Sequence, residues 1–234
     1  KELRKLEMDI FKSGQMLNMP SIKLSQFYGI ELDDFAHEVA ILSLWLAEHQ
    51  MNQEFKKLFG NCTPTLPLKD SGNIVCGNAT RLDWEEVCPK NEGDEIYILG
   101  NPPYLGARLQ TKEQKEDMNI VFDGIDGFNN LDYISCWFYK ATKYLQNYSK
   151  NQFAFVSTNS ITQGTQVSLL WSHLLNNDIE ISFAHQSFKW TNNAKNNAGV
   201  VVVIIGLRNK KNTPKYIFNK EIKIQSKNIN PYLI

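Results

Sequence analysis

Residues 95–104 read Glu-Ile-Tyr-Ile-Leu-Gly-Asn-Pro-Pro-Tyr, and no other stretch constrains the chain as tightly. A short apolar run rich in Ile and Tyr predicts a buried strand, and Gly100 followed by Asn-Pro-Pro stops it abruptly. The strand therefore aims whatever follows it. Two consecutive prolines fix φ and remove two backbone donors, so the carbonyls of Asn101 and Pro102 face outward with few amide hydrogens competing for them. With the Asn101 side-chain oxygen and the flat face of Tyr104, residues 101–104 make a rigid, acceptor-rich surface suited to a planar group bearing an NH2. A conjugated amine is a poor nucleophile because its lone pair is delocalised into the ring. Two acceptors gripping its two N–H bonds pull the nitrogen towards tetrahedral geometry and free that pair. The plainer alternative is a Pro-Pro turn that merely ends a strand, and four residues alone do not separate the two.

The 234 residues suffice for one sizeable core, or a domain with an appendage. Hydrophobic residues make up 42% and charged residues 21%, the balance of an ordinary globular protein, and no apolar run is long enough to span a bilayer. The opening Lys1-Glu2-Leu3-Arg4-Lys5-Leu6-Glu7 is charged and helical in pattern, which predicts no cleavable signal and a cytoplasmic protein without membrane partners. Cys62, Cys76, Cys88 and Cys136 are scattered without the close spacing of a zinc site or a disulfide framework, so reduced thiols and no metal are expected. A formal net charge of zero argues against a nucleic-acid binder, but Lys and Asn crowd the chain beyond Asn147 and acids are few there. A basic face on the C-terminal third is one reading; an ordinary solvated surface is the other.

Taken in order, the chain opens in a helix carrying Leu3, Leu6, Ile10 and Phe11, then a strand over 22–31 ends at Glu31. Asp33 or Asp34 caps a helix to about His49 that is apolar on nearly every face and is expected to be largely buried. A short strand within 72–78 ends at Gly77-Asn78. In Rossmann-like folds an acid ending the second strand accepts hydrogen bonds from ribose hydroxyls, which suits Glu31, although a partner for the adjacent helix N-terminus is an equal alternative. Asn78 falls on the same carboxyl edge. Residues 82–88 read as a link, and 105–130, with Gly106, Gly124 and Gly127, as a long loop beside the site from which Arg108 and Lys112 reach phosphates. An amphipathic helix is expected over 131–148, a buried strand over 152–158, a helix to about Leu175, two strands over 179–188 and 198–207, and one more over 216–225.

Asn101-Pro102-Pro103-Tyr104 after a hydrophobic strand resembles the catalytic motif of S-adenosylmethionine-dependent amino-methyltransferases, above all the adenine DNA methyltransferases. The order Tyr28-Gly29-Ile30-Glu31, Gly77-Asn78, the tetrapeptide, Asn130-Leu131-Asp132-Tyr133 and the late strand pair extends the resemblance over nearly the whole chain. Residues 44–51 and 157–164 bring it nearest to the methyltransferase region of single-chain restriction-modification enzymes. The resemblance implies a Rossmann-like α/β fold, with a mostly parallel sheet closed by an antiparallel hairpin. It assigns the amine grip to Asn101, Pro102, Pro103 and Tyr104, the cofactor S-adenosyl-L-methionine to Glu31 and Asn78, and stacking on a flipped adenine to Tyr104 with Phe188 or Trp190. Relatives often carry Asp where Asn78 stands. The segment 130–133 lies where the family shapes the back of its target pocket. Double-stranded DNA, an upstream nuclease and a downstream recognition module of the same full-length chain are the implied partners. Residues 1–208 are expected to form the partial catalytic domain and 209–234 an extension towards the recognition region. The family's first strand and Gly-rich turn have no counterpart in the sequence, so weak or no cofactor binding and an inactive isolated fragment are expected. Methylation of RNA or of a protein glutamine, or an inactive DNA-binding scaffold, remain the alternatives.

Overall fold

A computed structural model describes residues 1–14, 19–60, 72–146, 150–175, 178–190 and 199–234. The chain divides into two compact units, Lys1–Pro89 and Lys90–Ile234.

The first unit contains α1 (Glu2–Lys12), β1 (Tyr28–Glu31), α2 (Asp34–Phe59), β2 (Asn73–Cys76) and the short α3 (Trp84–Val87). β1 and β2 run parallel, with Glu31 opposite Cys76, so both strands end at one carboxyl edge. The expected strand over 22–31 is shorter: Leu24–Gln26 forms a 3₁₀ turn, and only the last four residues pair. Asp33 caps α2 by accepting from the Ala36 amide at 2.8 Å, as its position before the apolar run predicts. The helix runs on to Phe59 and ends at Gly60, whose φ of 80° suits the left-handed C-terminal turn. The expectation that α2 is largely buried does not hold. Met51 and Phe55 pack with Met8 and Phe11 of α1, but Phe35 is 78% exposed, and Val39, Leu42 and Leu46 on the same stripe are exposed as well. Periodicity reports which faces are apolar, not what covers them. Residues 82–88 hold α3, capped by Asp83, rather than a plain link.

The second unit contains β3 (Tyr97–Gly100), α4 (Lys112–Val121), α5 (Ser135–Leu145), β4 (Gln152–Thr158), α6 (Gly164–Leu174), β5 (Ile179–Lys189), β6 (Val201–Asn209), β7 (Lys215–Asn219) and β8 (Ile222–Ser226). Six strands form one sheet in the order β3-β4-β6-β5-β7-β8. β3 and β4 are parallel; β6 lies between β4 and β5 and is antiparallel to both. β7 joins β5 in parallel and turns back into antiparallel β8, so the expected single strand over 216–225 is a hairpin. With two parallel and three antiparallel pairings across it, this sheet is mixed rather than mostly parallel. One face is dry. Phe153, Phe155, Val203, Ile205 and Leu207 are buried there, alternating along β4 and β6 with half-exposed residues such as Ala154, Val156 and Ile204. Phe138 of α5 is central to this core, its ring centroid 5.3 Å from Phe155, 5.9 Å from Phe153 and 6.3 Å from Trp171 of α6. The segment 105–130 is not a bare loop: it contains α4, opened by a reciprocal Thr111–Gln114 capping box, and 3₁₀ turns at Ala107–Leu109 and Phe128–Asn130.

Candidate active site

β3 and β4 are parallel, with Gly100 opposite Phe155, so the chain leaving Gly100 enters the carboxyl edge of the sheet. The approach there is close. A Cβ on Gly100 would lie 3.3 Å from the Phe155 ring and 3.6 Å from Pro102 Cδ. Beyond it Asn101 and Pro103 are exposed, Pro102 is buried and Tyr104 is half-buried. Pro102 is thus the anchor of the turn, and its neighbours face outward. Among the described residues no hydrogen-bond donor reaches the Asn101 side-chain oxygen or the Pro102 carbonyl. Two acceptors without a described donor thus belong to consecutive residues on a stiff backbone.

The loop behind the tetrapeptide is held from one side. The Leu105 carbonyl accepts from the Tyr133 amide at 2.9 Å and from Nε2 of buried Gln110 at 3.4 Å, and the same Nε2 donates to the Leu131 carbonyl at 2.9 Å. Arg108, in the 3₁₀ turn, and Lys112, opening α4, are exposed. Buried Asp132 accepts from Ser160 Oγ, which lies 2.7 Å from Thr158 Oγ1, and Asp132 N–H donates to Gln166 Oε1 at 3.1 Å. Sequence reasoning had no access to the Asp132–Ser160 pair. Both residues lie in segments it had singled out, but their contact spans 28 positions and follows no local period.

Because β4 and β5 are both antiparallel to β6, their carboxyl ends share one edge. Thr158 is opposite Val202, and Val202 is opposite Phe188, so these three residues form a row across that edge. Phe188 sits inside β5 and Trp190 one step past it, its amide donating to the Val200 carbonyl at 2.9 Å. Both are half-buried. The remainder of the loop between β5 and β6, from 191 to 198, lies outside the described residues, as does Cys62.

In the first unit the structure brings Glu31 and the Gly77-Asn78 turn to one edge, where the Gly77 amide donates to the Glu31 carbonyl at 2.8 Å. The Glu31 carboxylate turns back on its own loop, Oε1 accepting from the amides of Leu32 at 2.9 Å and Asp33 at 3.3 Å. Asn78 Oδ1 accepts from the Thr80 amide at 2.9 Å and from Thr80 Oγ1 at 2.7 Å.

Cys136, in α5, is buried, and burial first, with nearby Asp117 second, pushes its thiol far above the ordinary range. It is no nucleophile at neutral pH. Cys76 is exposed and Cys88 half-buried, and neither is in a disulfide. Among the described residues no three His, Cys, Asp or Glu side chains gather as metal ligands, and no helix is long and apolar enough to cross a membrane.

Residues 1–219 match the MmeI DNA-methyltransferase domain family. The chain is 53% identical over 242 aligned positions to DNA methyltransferase A of Bacillus subtilis strain 168, covering all of this chain and 27% of that protein. It also superposes on the type IIL restriction-modification enzyme MmeI, solved in complex with DNA, with a TM-score of 0.89 and 41% identity, covering all of this chain and 33% of the other. The chain thus spans about a quarter to a third of the length of these relatives. Given the extent of these matches, this chain belongs to the MmeI DNA-methyltransferase domain family.

Proposed function

We propose that this chain is the catalytic domain of an enzyme that methylates the exocyclic 6-amino group of adenine in DNA, within a restriction-modification protein. The observation that carries the reading is the pair of unengaged acceptors, Asn101 Oδ1 and Pro102 C=O, at the carboxyl edge of β3. An adenine amine presents two N–H bonds and a delocalised lone pair. Bound to both acceptors, the nitrogen pyramidalises and its lone pair becomes available for direct attack, with no covalent enzyme intermediate. Orientation and preorganised dipoles supply the catalysis. Extruding a base from duplex DNA costs a few kcal/mol, and an aromatic contact returns about 1–3 kcal/mol. Tyr104 supplies one aromatic face, and Phe188 or Trp190 the other.

S-adenosyl-L-methionine supplies an electrophilic sulfonium methyl group when bound. The first unit fits such a ligand in its side-chain chemistry: Glu31 ends β1 with a carboxylate suited to ribose hydroxyls, and Asn78 brings a polar side chain to the same edge. Nuclease and recognition functions belong, in this reading, to other parts of the intact protein.

The test uses the intact protein carrying this chain. Asn101→Ala is expected to abolish methyl transfer to duplex DNA while calorimetric titration shows S-adenosylmethionine binding largely unchanged. Retained turnover refutes the amine grip.

A further inference from the structure

Asp132 is 9% exposed, and among the described residues it faces no cation within ion-pair distance. A buried carboxylate without a cationic partner is costly and persists only where hydrogen bonds or function retain it. Its contacts here point to function. Oδ2 accepts from Ser160 Oγ, and Ser160 is linked to Thr158 at 2.7 Å, in the turn that ends β4. Oδ1 lies near Gly106, where a Cβ would be 3.7 Å from it. Gln166 of α6 pins the backbone on both sides, accepting from the Asp132 amide at 3.1 Å and donating to the Asn130 carbonyl at 2.7 Å. The carboxylate therefore stands between two loops: the one leaving Tyr104, held through Leu105 and Gly106, and the one leaving Thr158, in the row that carries Phe188.

We propose that Asp132, fixed by Ser160, is the positioning residue of the target-base pocket, setting the spacing between the Asn101–Tyr104 loop and the turn after β4. This rests on the adenine-methylation reading above. Asp132 need not touch the base. It acts through the loop, so its loss lets Tyr104 and the acceptor pair drift, and a misplacement of about 1 Å costs about 10²-fold in rate.

The experiment compares wild type, Asp132→Ala, Ser160→Ala and Ser160→Thr in the intact protein, using cognate duplex DNA and a duplex with 2-aminopurine at the target position. Asp132→Ala is expected to lower kcat about 10²-fold with KM for S-adenosylmethionine within about twofold. Ser160→Ala should lose about tenfold, and Ser160→Thr, which keeps the hydroxyl, should stay within about threefold of wild type. The 2-aminopurine signal should brighten in Asp132→Ala, as the extruded base loses its aromatic partner. Were Asp132→Ala unable to fold, the two Ser160 variants decide alone. Unchanged kcat in the alanine variants, or losses that track only the folded fraction, overturns the positioning role. If wild type itself methylates no adenine, the underlying reading fails instead.

Discussion

Replacing Phe138 by alanine removes the side chain that joins the helix layer to the strands beneath the candidate site. Phe138 is 0% exposed, and its ring meets Phe155 edge-on at 5.3 Å and 80°, Phe153 at 5.9 Å and 74°, and Trp171 at 6.3 Å and 56°. Truncating a fully buried Phe costs about 3–5 kcal/mol, to which each edge-to-face pair contributes about 0.5–1.5 kcal/mol. At about 2–4 °C per kcal/mol for a domain of this size, Tm should fall by about 6–20 °C. The effect also reaches the site, because the Phe155 ring lies directly under Gly100 and can relax into the new cavity. Activity per folded molecule should therefore fall too. Urea unfolding, followed by circular dichroism, measures the first quantity. Leu109→Ala serves as control, since Leu109 is 72% exposed and its truncation should change stability by less than about 0.5 kcal/mol. A Phe138→Ala loss below about 1 kcal/mol would refute the account of this core.

Other consequences follow from particular groups. Burial alone would raise the Glu180 pKa, but hydrogen bonds from Lys215, Arg208 and the Lys211 amide outweigh it and hold the carboxyl below its ordinary value. A depressed folded pKa stabilises above the unfolded value and is lost as pH falls through the folded one. Wild type should thus exceed Glu180→Gln in stability near neutrality and converge with it in acid; a difference independent of pH contradicts this. In the first unit, Glu7 Oε1 accepts from the Ser21 amide and Oγ at 2.6 Å and from the Ile22 amide at 3.3 Å, and its other oxygen faces Arg4 Nε at 3.3 Å. Glu7→Ala leaves Arg4 buried without that partner and should cost about 3–5 kcal/mol, read by faster hydrogen exchange in α1. At the sheet edge, Leu99 of β3 is 79% exposed beside exposed Tyr97, so Leu99→Lys should reduce self-association of the isolated chain in light scattering.

How much of this was legible depended on whether the determinant was local. The strand before Asn101 and its abrupt end were written in Gly100-Asn101-Pro102-Pro103, because proline and glycine act on their own backbone, but the expected burial of that strand is not met: Tyr97 and Leu99 of β3 are exposed. The apolar run within residues 152–158 likewise predicts β4 as a buried strand, whose alternating burial appears only in the fold. Residues 105–130 misled because glycines suggested a loop, whereas Thr111 and Gln114 already spelled the capping box that starts α4. The apolar faces of α2 were legible but their exposure was not, since burial depends on what packs against them. The mixed sheet escaped for a similar reason: nothing local tells β6 to insert between β4 and β5. Residues 101–104 stand out as a candidate site in the sequence alone, whereas the Asp132–Ser160 link exists only after folding.

The most direct measurement is the identity of the methylated base. Duplex DNA treated with the intact protein and isotopically labelled S-adenosylmethionine, then digested to nucleosides and resolved by mass spectrometry, should carry the label on N6-methyladenine, and the label should vanish with Asn101→Ala. Label on 5-methylcytosine, on no base at all, or persisting undiminished in the Asn101→Ala sample would contradict the account.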